Sequence, residues 1–144
     1  MIEARKSQFQ SFVAERMPVL VDFAERLGFA EPYRILNEPE RFLPGLDAWL
    51  QRQEVSSNDR AWLLARLAYY VGEYLVVRYS GSWSVNDIEG SRYFGRYVVG
   101  NFAKVSNRHA QVDPYEVVVD VLRTSPSTSL AVVLKQVGEE LDAA

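Results

Sequence analysis

The sequence has no cysteine and a single histidine, His109. Without thiols there is no disulfide framework, no thiolate metal site and no cysteine nucleophile, and one imidazole leaves only carboxylates as further metal ligands. A nucleophilic triad would rest on His109 alone, which stands in the polar stretch Ser106 to Gln111 where a side chain is expected to face solvent. Charge of one sign is also scarce. Sixteen Lys and Arg against nineteen Asp and Glu leave −3, with no domain-wide basic field to hold a polyanion. The glycines are scattered, and none opens a helix as a phosphate loop must. The N-terminal MIEARKSQF lacks the apolar core of a signal peptide, and with no cysteine a reducing cytoplasm is the expected setting. No catalytic residue, cofactor or metal is expected.

What is there belongs to an ordinary globular chain: 144 residues, 48% apolar and 24% charged, enough to bury about two-thirds of the unfolded surface in one domain spanning residues 1–144. Phe9, Phe12, Val13, Leu20, Phe23, Ala24 and Leu27 form one helical stripe that keeps its phase across Pro18, so a single kinked helix is expected, ended by Gly28. Asn37 and Glu40 read as a capping box that Pro44 and Gly45 cut short, with a short helix from Leu46 to Gln53. Ser56, Ser57 and Asn58 offer N-caps for a long helix to Tyr79. Between Ala61 and Tyr79 only Arg66, Gly72, Glu73 and Arg78 are neither apolar nor aromatic. Such a helix is buried on several sides. Three charges at about 2.5 to 3.5 kcal/mol each exclude it as a membrane span.

The period then changes. Trp83, Val85 and Ile88, the turn Glu89-Gly90-Ser91, and the aromatic and β-branched run Tyr93 to Val99 predict a β-hairpin, with a third strand over Phe102 to Val105. Asp113, Pro114 and Glu116 read as a capping box opening a helix to Arg123, and after the Ser125-Pro126-Ser127 break Leu130 to Leu141 form a last amphipathic helix. The expected fold is therefore α+β and predominantly helical, a small antiparallel two- or three-stranded sheet packed on helices. Residues 1–80 form a helical layer, 82–105 the hairpin region and 113–142 the C-terminal helices.

Two groups of residues are candidates for function. On the central helix Arg66, Tyr70 and Glu73 fall on one strip at i, i+4 and i+7, and with Trp83 they are expected to form either a buried polar network or a pocket that reads a ligand. On the hairpin, Arg92, Tyr93, Arg96 and Tyr97 lie in a stretch with no acidic residue between Gly90 and Asp113, which makes a candidate partner face. Arg92-Tyr93-Phe94-Gly95 lacks the glycine and the following Phe and Val of an RNA-reading strand, so nucleic acid is not the expected partner. The carboxylate pairs Asp87 with Glu89 and Glu139 with Glu140 are expected to be solvated surface rather than acid–base couples.

Gly72-Glu73-Tyr74-Leu75 on a helix, Gly81-Ser82-Trp83 opening a hairpin and Asp113-Pro114-Tyr115 opening a helix together resemble a pattern in small uncharacterised bacterial α+β domains, over residues 60–141. The resemblance implies a stand-alone cytoplasmic protein of immunity-like or accessory type. A non-catalytic protein-binding role is accordingly expected, with a protein partner or a second copy in a homodimer and no membrane or nucleic acid. The alternative is a small-ligand or enzymatic pocket around Arg66, Tyr70, Glu73 and Trp83.

Overall fold

The computed structural model describes residues 2–52, 57–124 and 129–143. Its elements are α1 (Ile2–Arg26), two 3-10 turns (Pro32–Leu36 and Pro39–Phe42), α2 (Leu43–Arg52), α3 (Ser57–Tyr79), β1 (Ser82–Val85), β2 (Tyr97–Gly100), β3 (Gln111–Val112), α4 (Pro114–Thr124) and α5 (Leu130–Ala143). The α+β, predominantly helical expectation holds, with an antiparallel three-stranded sheet in the order β1-β2-β3. Trp83 pairs with Val99, and Val99 in turn with Val112. Among the described residues no helix is long and apolar enough to cross a membrane.

The core follows from α3. Leu63, Leu67, Ala68, Tyr70, Val71 and Leu75 are all buried, at about 1.5 to 3 kcal/mol for each large apolar side chain removed from water. Helix α1 crosses α3 in the opposite sense, so contacts climb one helix as they descend the other: Phe23 meets Trp62, and Arg16 meets Glu73. The N-terminal half of α1 lies over the sheet through an aromatic group in which Phe12 contacts Tyr69, Trp83 and Tyr97. The hydroxyls of Tyr69 and Tyr97 donate to the carbonyls of Phe12 and Arg5, at 2.7 and 3.1 Å, and pin that half in place. Gly28, at φ 85°, lets the chain leave α1, with Phe29 N–H returning to Ala24 O.

Helix α1 runs as one element through Pro18, as the unbroken phase of its stripe predicts, because a single lost hydrogen bond is outweighed by apolar residues anchored on both sides of it. Several other local expectations are corrected. The expected capping box at Asn37 and Glu40 does not form. Glu38 precedes the 3-10 turn without a side-chain cap, and Pro44 and Gly45 lie inside the first turn of α2, where a missing N–H costs nothing. The cap expected at Ser56 to Asn58 and the break at Ser125-Pro126-Ser127 lie outside the described residues and side chains.

The hairpin is shorter than its β-rich sequence suggests, since residues 92–95 turn and the strand that pairs with β1 is Tyr97–Gly100. The third strand is not Phe102–Val105. Asn101 enters the left-handed region at φ 52°, and the N–H groups of Ala103 and Lys104 donate to the carbonyls of Ser80 and Tyr79 at the end of α3. Phe102 and Val105 are thereby buried as a loop, and the sheet is completed by Gln111–Val112 beyond the expected hairpin region.

Candidate functional site

The central-helix candidates are dispersed by their neighbours. Arg66 lies over the Trp62 ring, 4.3 Å from its centroid, and donates to Trp62 O at 3.1 Å. Burial lowers its pKa, against the opposing pull of Asp22 on α1. Tyr70 is fully buried and its hydroxyl donates to Pro39 O at 2.8 Å. Burial also drives the pKa of Tyr70 far above the usual phenol range. Glu73 turns instead to Arg16, whose Nε lies 3.1 Å from Glu73 Oε1 with its N–H off line. The expected Arg66–Glu73 contact is therefore corrected: side chains on a helix lean toward its N-terminus, so Arg66 reaches back to Trp62 and leaves Glu73 to α1. Among the four, the structure brings together only Glu73 and Trp83.

That meeting explains the Gly72-Glu73 and Trp83 motifs. The Trp83 indole lies flat on α3 at Gly72, where a Cβ would overlap Cζ2. Glu73 is 5% exposed. Burial pushes its carboxyl above the usual carboxylate range, while Arg16 and the nearby Trp83 indole N–H, which makes no well-formed hydrogen bond, pull against it. Tyr69, on the other side of this group, is pushed up to about 12, chiefly by burial. These features give a helix–sheet joint with a charge sealed inside it.

The candidate partner face is also rearranged. Arg92 Nη2 donates to both carboxylate oxygens of Glu116. Arg96 Nη1 pairs with Asp113 at 3.0 Å and Glu116 at 3.1 Å. Both arginines flank the Tyr93 ring, at 4.7 and 5.8 Å from its centroid. Asp113 meanwhile caps α4, accepting from Tyr115 N–H at 2.9 Å. The capping box is thus half formed, because Glu116 is drawn to the arginines rather than back to the Asp113 backbone. Tyr97 is 8% exposed and belongs to the core. Arg92, Tyr93, Arg96 and Tyr97 therefore do not make one exposed face. The carboxylates that hold them come from α4, outside the acid-free stretch, which the local sequence pattern could not reveal.

What this arrangement leaves open lies next to it. A cleft of about 580 Å³ is lined by Asn86, Ile88, Ser91, Arg92, Tyr93, Asn101, Arg108, His109 and Gln111. Asn86, 4% exposed, is held by its backbone, which continues the β1–β2 pairing through Asn86 N–H to Arg96 O and Gly95 N–H to Asn86 O. Ile88 stands 61% exposed at the mouth. No carboxylate lines the cleft. Arg108 meets no acidic partner among the described residues, and His109 is exposed, with its backbone N–H on Asn107 Oδ1 at 2.9 Å. Asp87 and Glu89 lie in the exposed turn nearby, Asp87 paired with Lys6 at 3.0 Å, and Glu139 and Glu140 are exposed on α5. Among the described residues no three His, Asp or Glu side chains converge as a metal site would require. Asn86, Asn101 and Gln111 were not legible as site residues, since each is an isolated amide whose role depends on tertiary contacts.

No protein-family model matches the chain, and no curated protein or solved structure is significantly similar to it.

Proposed function

We propose that this is a non-catalytic binding protein whose partner is another protein presenting an acidic surface. The observation that carries the reading is the local charge of the cleft: it collects Arg92 and Arg108 and no carboxylate, in a chain whose net charge is −3. Arg92 is already neutralised by Glu116, so Arg108 supplies the free guanidinium. Ile88 and the Tyr93 ring add apolar contact beside it, the mixture of apolar centre and cationic rim that protein interfaces use. A second copy of the chain is a poorer fit, because a two-fold contact through this face would set one Arg108 against another. The accessory, immunity-like role in a cytoplasmic setting implied by the motif order is part of the same proposal. The pocket reading around Arg66, Tyr70, Glu73 and Trp83 draws no support from side chains that point into three different contacts.

The test is a photo-crosslinking residue placed at position 88, with position 132, 49% exposed on α5, as the control. A discrete protein adduct at 88, absent at 132 and lost on Arg108→Ala, is expected. Equal labelling at both positions, or indifference to Arg108, refutes the reading.

A further inference from the structure

We infer that the cleft contains a carboxylate-reading subsite built on Gln111, so that the segment it takes carries an Asp or Glu beside an apolar residue. The protein source of that carboxylate rests on the reading above, whereas the subsite rests on a chain of hydrogen bonds that fixes which end of Gln111 faces outward. Ile88 N–H donates to Asn86 Oδ1 at 3.0 Å, which makes the other end of Asn86 the donor. Asn86 Nδ2 accordingly donates to Ser91 Oγ at 3.3 Å and to Gln111 Oε1 at 2.7 Å. The reverse orientation of the buried Asn86 amide would turn Nδ2 against the Ile88 N–H, donor facing donor. Gln111 is then left with Nε2, which lies beside Gly100 and from which nothing among the described residues accepts. The side chain is laid across Gly100, its partner on β2, where a Cβ would press to 3.1 Å on Gln111 Cγ.

An amide N–H pair held this way, in a cleft that Arg108 and His109 also line, offers donors with no carboxylate among the lining residues. A carboxylate satisfies them with one negative charge, and the apolar neighbour of that carboxylate finds Ile88 and the Tyr93 ring. A phosphate dianion calls for more free cations than Arg108 alone supplies, since Arg92 is committed to Glu116.

The experiment follows the Gln111 side-chain amide and the Ile88 and His109 backbone signals in ¹H–¹⁵N spectra of the full chain. The probes are a capped hexapeptide of alternating Glu and Leu, its Gln-for-Glu counterpart, and inorganic phosphate at matched ionic strength. Saturable movement of these signals with the acidic peptide is expected, with the Gln counterpart roughly tenfold weaker, as the loss of one charge-assisted hydrogen bond implies. Gln111→Ala should weaken the acidic peptide by a similar factor. Gln111→Glu keeps the acceptor for Asn86 but turns a negative oxygen outward, and should abolish binding with the rest of the spectrum unchanged. Equal binding of the neutral peptide, saturable binding of phosphate in preference to the peptide, or a motionless Gln111 amide overturns the subsite. If the adduct at position 88 persists in any of those cases, protein binding survives and the Gln111 assignment alone falls.

Discussion

Gly72 and Trp83 share one space: the indole lies where a side chain at position 72 would have to be. In an exposed helix interior Gly→Ala gains about 1 kcal/mol through propensity. Here the added methyl meets the rigid ring of a buried tryptophan, so Gly72→Ala is expected to lose about 1 to 3 kcal/mol or more to overpacking. Urea unfolding measures the sign directly. Trp83→Leu makes room, so the Gly72→Ala, Trp83→Leu double variant should cost less than its two single changes added together. A stabilising Gly72→Ala would show that the indole does not rest on α3.

The ion pair inside the same joint gives a double-mutant cycle with a built-in control. Arg16→Ala strands a Glu73 carboxylate that is 5% exposed. Its expected cost is about 3 kcal/mol, the low end for an orphaned buried charge, since the quarter-exposed Arg16 position admits some water. Arg16→Ala and Glu73→Ala should couple by more than about 0.5 kcal/mol. Arg66→Ala and Glu73→Ala should be additive within that margin, because Arg66 belongs to Trp62. Coupling of Glu73 to Arg66 instead would contradict the geometry.

Legibility in the sequence followed contact distance along the chain. The helices α3, α4 and α5 were readable because an apolar stripe is a local property, and the Trp-led strand because β-branched and aromatic residues cluster there. Tertiary partners were not. Asp47 on α2 accepts from the N–H groups of Leu130 and Ala131 at 2.8 and 3.2 Å and so caps a helix 83 residues away. Phe102 and Val105 read as strand because burial and alternation look alike over four residues, yet docking onto the carbonyls of Ser80 and Tyr79 decided their conformation. At the candidate sites the residue types were recognisable but their partners were not. Helical spacing put Arg66 and Glu73 on one strip and was silent about Arg16, and the absence of carboxylates from residues 91–112 concealed Glu116 just beyond.

Glu73 also makes stability depend on pH with an unusual sign for a carboxylate. Its folded pKa is raised by burial, despite Arg16 and Trp83, so the folded state binds the proton more tightly than the unfolded chain. The cost of ionising it is fully present above the folded pKa and disappears as pH falls toward the unfolded value near 4.5. Glu73→Gln removes that titration. The stability of the Gln variant relative to wild type is therefore expected to be greatest near neutral pH and to shrink on acidification, as read from urea midpoints across pH 4 to 8. A difference that is constant with pH would place Glu73 in water.

The last expectation concerns nucleic acid, the partner that a basic and aromatic stretch first suggests. Arg92 is paired with Glu116 and Arg96 is shared between Glu116 and Asp113, so two of the four cations of residues 91–112, the others being Lys104 and Arg108, have little charge left to exchange for counterions. Affinity for a duplex rests on phosphates neutralised, with log K falling by about 0.9 per phosphate against log salt. The wild-type protein should therefore show no measurable binding to a short DNA duplex at about 150 mM salt and only a shallow slope below it. Glu116→Gln unmasks Arg92 and partly Arg96, and because those pairs are exposed it should cost the fold no more than about 1 kcal/mol. At low salt the variant should bind more tightly than wild type, with a slope steeper by about one to two phosphates, in fluorescence anisotropy titrations at stepped salt. Submicromolar wild-type binding with a steep slope would mean that DNA displaces Glu116 from the arginines, and an unchanged slope in the variant would mean that Glu116 never held them.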